Sequence, residues 1–403
     1  MNLSAMKNTL APAYLATAFL VLPLMAENSS PLVYEGSEGP GQGKHIVFIA
    51  NDHEYRSEET SPLIAKILAK HYGFRSTVLF GIDENGHIRA GGAPVPGMEA
   101  LNDADLLFFY TRFMNLPDEQ VDLLVDYFER GGPVVGLRTS THCFNGQKGK
   151  WEKLNFNYTG EDYLGGLGEQ ILGNTWNKQR GQGHYGGNHQ MGGRITPVAE
   201  AKDHPVNTGV TQMHTYSGAY SSQPPVDSTP LLEVQVLNTF EASNDINAQK
   251  PIVNAGWARD HYVAPSGAKK EARVVYTSYG ASEDVLDEDA RRFLVNACLW
   301  AGGWEDVITP DLDVSIVGGF DPVPYTTGAF ARQGVKPSDL AGWDSQVMPA
   351  EARIWGVGDS SEGMVSKLSR ALKSRPELVK KLEMTYPEFD ASLYQSEDKK
   401  PKK

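Results

Sequence analysis

Four polar clusters combine carboxylate, imidazole and guanidinium groups, and each directly follows an apolar run of strand length. Asn51, Asp52, His53, Glu54, Tyr55 and Arg56 follow HIVFIA, and Thr111 and Arg112 follow DLLFFY. Arg138, Thr139, Ser140 and His142 follow PVVGL, while Tyr279, Gly280, Ser282, Glu283 and Asp284 follow ARVVYTS. A carboxylate next to an imidazole can tune it for proton transfer, which makes Asp52, His53, Glu54 and His142 the acid–base candidates. Guanidinium forks and hydroxyls hold ligand oxygens, so Tyr55, Arg56, Arg112, Arg138, Thr139, Ser140, Glu283 and Asp284 are the candidates for binding substrate. Any one cluster is also what a solvated loop start looks like. They become a site only if the strands deliver them to one rim.

The intervening sequence has the rhythm that would do so. HIVFIA (45–50), STVLF (76–80), DLLFFY (105–110) and PVVGL (133–137) read as buried strands. Ser61-Pro62 opens a helix that Gly73 ends, and Val121, Leu124, Val125 and Phe128 form one face of a helix that stops at Gly131-Gly132. Alternation of this kind predicts an α/β fold, a mostly parallel sheet with helices on both faces. Ligands of such sheets bind beyond the carboxyl ends of the strands, where the four clusters stand. After Lys150 the rhythm breaks into a Gly-rich insertion, about 151–225, before LLEVQVL, PIVNAGWA and ARVVYTS resume strand patterns, the last two paired. A helix from about Leu286 to Ala301 closes the domain.

The insertion carries His184 and His189 in QRGQGHYGGNHQ, a segment able to fold over the rim as a lid, and Asp203-His204-Pro205 reads as a turn. Trp151, Trp176, Tyr185 and Tyr216 lie in the same region, and their faces suit either core packing or the apolar faces of sugar rings. Asp52, Glu54, His53, His142, His184 and His189 are ligand types for Zn or Mn, yet HxxxH and HExxH spacings do not occur. The P-loop pattern is missing too, so no cofactor is required, and a divalent metal stays an alternative.

Among 403 residues with a formal net charge of −13, no basic stripe is found, which argues against a nucleic-acid partner and favours small neutral or weakly polar ligands. A homo-oligomer is compatible with everything above. Lys7, the apolar run Thr9–Met25 and Leu24-Met25-Ala26 read as a signal peptide over 1–26, with a membrane anchor as the alternative. Cleavage before Glu27 would leave an exported, periplasmic or extracellular protein without a membrane span. A flexible leader (27–43) then precedes the α/β domain (44–304). An extension (305–403) follows, with an amphipathic helix within 363–383 and a disordered tail at 395–403. Of the two cysteines, Cys298 falls on the apolar stripe of its helix, while Cys143 is either an inert buried thiol, a reactive one near Arg138 and His142, or its bridge partner.

FIANDHEYRSEET, LLFFYTRFMNLPDEQVDLLVDYFERGGPVVGLRTSTHCF, DHPVNTGV and VVYTSYGASEDVLDEDARRFLVNACLWAGG occur here in an order that resembles the ThuA-like (trehalose utilisation) family over about His45 to Gly303. The resemblance implies a flavodoxin-like sheet related to class I glutamine amidotransferases and a place in carbohydrate metabolism. It also implies that Arg138 occupies the position of the amidotransferase nucleophile. A guanidinium cannot attack a carbonyl, so glutamine hydrolysis at that elbow is excluded. Many ThuA-like chains have GLH at this place and Gly-His after the final strand, where this one has Leu137-Arg138 and Gly280-Ala281. Two readings follow. One is an exported protein that binds or acts on a sugar or oxidised-sugar derivative as hydrolase, lyase or isomerase; the other is a non-catalytic carbohydrate-binding or scaffolding protein.

Overall fold

The computed structural model describes residues 30–176, 183–184, 192–218, 220–239, 242–324, 331–349, 352–354, 368–369, 372–373, 377–385 and 389–394. The span read as a signal peptide (1–26), His189, Tyr185 and the span read as a disordered tail (395–403) lie outside the described residues. No helix among the described residues is long and apolar enough to cross a membrane.

The runs of Val, Ile, Leu and Phe that read as strands form a parallel centre. It comprises β2 (His45–Asn51), β3 (Arg75–Phe80), β4 (Leu106–Thr111), β5 (Val134–Leu137) and β12 (Lys269–Thr277). Their order is β3-β2-β4-β5-β12, all parallel, so the chain reverses its winding between β2 and β4. This is the flavodoxin-like order, and its switch point puts Asp52 and Arg112 side by side. Buried on both faces, β2 and β4 have no exposed residue to alternate, which is why they read as continuous apolar runs.

One face is covered by α1 (Ser57–Tyr72) and α3 (Glu288–Ala301), the other by α2 (Asp118–Glu129). The helix signals for α2 and α3 match these bounds closely. α1 differs: it begins at Ser57, four residues before the expected Ser61-Pro62 start, with Arg56 in the left-handed region (φ 66°) at its N-cap. Pro62 is held inside the helix because burial along the β2 face outweighs the backbone bond it cannot donate. Gly73 (φ 79°) ends α1 as expected, returning its N–H to Ala69.

The sheet is larger than the parallel rhythm implies. Beyond β12 the antiparallel strands β11 (Val253–Val263), β10 (Thr229–Val236), β7 (Gly193–Pro197) and β8 (Met213–Thr215) continue it, and β1 (Leu32–Glu35) adds an antiparallel edge beside β3. β11 and β12 pair as expected, whereas β7 and β8 arise within the irregular insertion. Elsewhere in that insertion, β6 (Gly183–His184) pairs with β9 (Tyr220–Ser221), and His204 caps a short turn before Val206.

Strand β8 is an edge, and an open edge invites pairing with another chain. Here acidic side chains at and before the start of α3 take amides of β8 and of the residues flanking it. Asp289 accepts from the Thr211 and Gln212 N–H, Asp287 from His214 and Asp284 from Tyr216, at 2.8 to 3.0 Å. Asp287 also caps α3 by accepting from Asp289 and Ala290 N–H.

The extension after residue 304 does not stand apart. Leu312, Val314, Val317, Val335, Leu340, Val347 and Met348 belong to the core on the α1 and α3 face. Further on, α4 (Glu377–Thr385) covers part of the span read as amphipathic and joins Leu368, Leu372, Phe389 and Tyr394 in a small cluster around Val323. β13 (Arg332–Gln333) and β14 (Arg353–Ile354) pair within the extension.

Because Asp287 serves the helix cap and the strand edge together, Asp287→Ala is expected to cost about 1–3 kcal/mol of unfolding free energy in chemical denaturation. A loss within the error of the measurement would show that neither role matters.

Candidate functional site

Strands β2, β4, β5 and β12 end together, and all four polar clusters meet at that rim. What the cluster residues do there divides them into two sets: a buried frame and an open edge.

Asp52 belongs to the frame. It is fully buried, and its Oδ1 accepts from the backbone N–H of Glu54, at 2.7 Å, and of Tyr55, while Oδ2 accepts from Thr139 Oγ1 at 2.6 Å. The carboxylate therefore folds the loop after β2 and ties it to the turn after β5. Ser140 ties that turn to β4, donating to Phe109 O at 2.7 Å and accepting from Thr111 N–H at 3.1 Å. Asp284, also fully buried, accepts from five groups: Thr215 Oγ1, Tyr216 N–H, Ser217 Oγ, Gly280 N–H and Ala281 N–H, at 2.8 to 3.0 Å. Arg56 is fully buried at the start of α1, donates from Nε to Pro324 O at 3.3 Å and pairs with Glu58 at 3.6 Å.

Arg138 stands in the left-handed region (φ 43°) directly after extended Leu137, which gives the sharp strand-to-turn bend of a nucleophile elbow. A non-glycine residue held there costs about 1–2 kcal/mol. Its side chain does not face a ligand. It is fully buried, donates from Nη1 to the carbonyls of Ser278 (2.7 Å) and Gly218 (3.0 Å), and lies 3.8 Å from the Tyr55 ring centre and 4.8 Å from that of Tyr220. Five donors in a planar fork suit carbonyls in its plane and aromatic faces above and below it. Behind the turn, Gly168 packs so tightly that a Cβ would lie 2.0 Å from Thr141 O.

The open edge consists of His53, Arg112 and Phe113, each half-buried, with Glu54 and His142 at its base. Arg112 Nε lies 3.0 Å from Glu54 Oε2, and its Nη1 lies 2.5 Å from His53 Nε2. A guanidinium only donates, so His53 accepts at Nε2 and is neutral with its proton on Nδ1. Burial lowers the His53 pKa first of all; Asp52 opposes this, while Arg112 and Arg56 add to it. Arg112 also stacks on Phe113, 4.4 Å from the ring centre.

Phe113 begins an aromatic collar around His142. The His142 ring centre lies 5.1 Å from Phe113, 6.3 Å from Phe156 and 5.1 Å from Trp176, and Trp176 meets Tyr220 edge-on at 4.9 Å. Phe113, Phe156 and Trp176 keep part of their surface exposed, whereas Tyr55 and Tyr220 are buried below them. The backbone of His184 pairs with Tyr220, so the insertion runs beside this collar.

Of the candidates, the rim brings His53 and Arg112 to an open surface with Glu54 and His142 buried at its base, and uses Asp52, Tyr55, Arg56, Arg138, Thr139, Ser140 and Asp284 inside its frame. Glu283, largely buried, lies next to that frame. Trp176 was visible in the sequence as an aromatic without a place. Phe113 and Phe156 were not, although Phe113 sits immediately after Arg112 in the second cluster. Cys143 and Cys298 are both buried and unbridged, and burial pushes each thiol well above the ordinary cysteine range. No group of His, Cys, Asp and Glu among the described residues is arranged to hold a metal ion.

The chain matches no family model and no curated protein. Among solved structures it is similar to a protein described as ThuA-like from Bacteroides uniformis, with 14% identity over 70% of this chain and 100% of that one and a TM-score of 0.40. It is similar also to a ThuA-like protein from Parabacteroides merdae, with 14% identity, 64% and 90% coverage and a TM-score of 0.38. A glutamine amidotransferase from Methylobacillus flagellatus gives 12% identity, 66% and 93% coverage and a TM-score of 0.26. The first two bear the description that the sequence motifs resemble, and the strand order itself defines the flavodoxin-like class.

Because the folded His53 pKa lies below the ordinary 6.5, the unfolded chain binds the extra proton first as pH falls. The contribution of neutral His53 is therefore complete above that value and declines below it. Denaturation at about pH 7.5 and 5.5 should show a larger loss for the native chain than for His53→Asn, and equal losses would contradict the assignment. Ellman's reagent should label neither cysteine until the protein unfolds; prompt labelling of one thiol that is lost in Cys143→Ser would place Cys143 at an accessible surface.

Proposed function

We propose that this chain is a carbohydrate-binding protein of the ThuA-like kind, holding a sugar at the strand-end rim. The observation that carries the reading is the collar of Phe113, Phe156 and Trp176 beside the Glu54, Arg112 and His53 chain. Aromatic faces left partly exposed next to an ordered line of donors and acceptors match a sugar ring, which has apolar faces and an equator of hydroxyls. Arg112 is fixed on one side by Glu54 and on the other by His53, so little side-chain freedom is lost when it meets a ligand oxygen.

Binding is favoured over turnover by the state of the proton-transfer groups. Asp52 spends both oxygens on the frame, His53 Nε2 is taken by Arg112, and Arg138 has no access to the rim surface. Glu54 and His142 are the pair on which a hydrolase, lyase or isomerase reading rests. The place in carbohydrate metabolism and the export signal over 1–26 belong to the same proposal, which puts the protein in the periplasm or outside the cell.

A thermal-shift screen of the mature chain from Glu27 against glucose, its disaccharides and their oxidised forms tests the reading. At least one sugar should raise the melting temperature in a saturable way, and Trp176→Ala should weaken that ligand by about tenfold or more. A sugar response unchanged in Trp176→Ala, or no response to any member, would overturn the proposal.

A further inference from the structure

We infer that the segment Asp321–Pro324 of the C-terminal extension is a wall of the rim site that sets which sugars fit, and that Glu59 and Arg332 latch it in place. The inference rests on the sugar-binding reading above and extends it to a part of the chain outside the α/β domain.

The segment crosses two of the strand-end loops. Val323 O accepts from Ser282 Oγ at 2.7 Å in the loop after β12, and Pro324 O accepts from Arg56 Nε at 3.3 Å in the loop after β2. Val323 N–H donates to Glu59 Oε2 at 3.0 Å. Glu59 Oε1 in turn pairs with Arg332 at 3.2 Å, and Arg332 returns to the segment by donating to Asp321 O at 2.9 Å. Both side chains of the pair are almost fully buried, at 1% and 3% exposure. A buried pair of this kind holds only while both partners are present, because either one alone is an uncompensated buried charge.

The segment is also backed from behind. Val323 sits in the apolar cluster formed by Leu368, Leu372, Leu378, Leu382, Phe389 and Tyr394, so the last part of the chain presses on the wall. Arg56 and Tyr55 lie in one loop with His53 and Glu54, and Ser282 lies beside Glu283. A wall anchored to Arg56 and Ser282 therefore bounds the rim where the loops after β2 and β12 meet. Its contribution is positioning: it orders the loops that carry the ligand groups and limits the size of what lies between them.

Hydrogen exchange and sugar titration on Arg332→Ala test this directly, with Ser282→Ala as a milder variant that removes one anchor and leaves the buried pair intact. The probe is whichever glucose-derived sugar stabilises the native chain. Arg332→Ala should raise exchange in peptides covering 318–335 while leaving β2, β4 and β5 protected. Its sugar affinity should fall about tenfold, and discrimination between a monosaccharide and its disaccharide should narrow. Ser282→Ala should move both readouts in the same direction by less, and it decides the matter if Arg332→Ala fails to fold. Faster exchange in 318–335, in either variant, with affinity and discrimination unchanged would overturn the inference and leave the sugar site standing. A native chain that binds none of the sugars would overturn the sugar site and the inference together.

Discussion

The buried guanidinium of Arg138 is the interaction on which the rim depends. It stands in a left-handed backbone bend directly after β5 and acts there as a fastening. One side chain joins the carbonyl of Ser278 after β12 to that of Gly218 in the insertion and fills the gap between Tyr55 and Tyr220. Its charge is met by carbonyl dipoles and ring faces, so it needs the site fully assembled around it. Asp284 completes the arrangement by holding Thr215 to Ser217, the residues that lead into the Arg138 contact.

This frame explains why the polar clusters separate by role. Carboxylates with both oxygens committed to backbone N–H or hydroxyl donors are poor proton shuttles and good splints. Asp52 and Asp284 are of that kind. The chain Glu54, Arg112 and His53 differs because it reaches the surface, where a guanidinium oriented by a carboxylate and stacked on an aromatic ring meets a ligand at small entropic cost. The aromatic collar supplies the apolar complement. On the reading proposed above, a site built in this way recognises shape and hydroxyl pattern more readily than it performs chemistry.

Much of the fold was legible because burial leaves a strong mark on sequence. HIVFIA, DLLFFY and PVVGL could only be central strands, and Gly73, Gly131-Gly132 and Gly302-Gly303 marked helix ends. The start of α1 was not legible, since its cap is an arginine in a left-handed conformation that no capping preference signals. β7 and β8 escaped because short antiparallel strands among glycines carry little periodicity, and the carboxylates that cap β8 are remote in sequence. The rim could be located from the strand ends, yet residue type alone could not separate frame from open edge. Arg138 and Arg112 look equivalent in sequence, and only burial tells them apart.

If the rim holds a sugar as proposed, that sugar stacks against Trp176. The most direct measurement is an indole N–H spectrum of the 15N-labelled native chain during titration with the sugar that stabilises it, the Trp176 resonance being assigned through Trp176→Phe. A saturable shift of the Trp176 indole is expected, with the buried Trp257 indole, bonded to Leu172 O, unmoved. A saturable response confined to other tryptophans, with Trp176 silent, would contradict it.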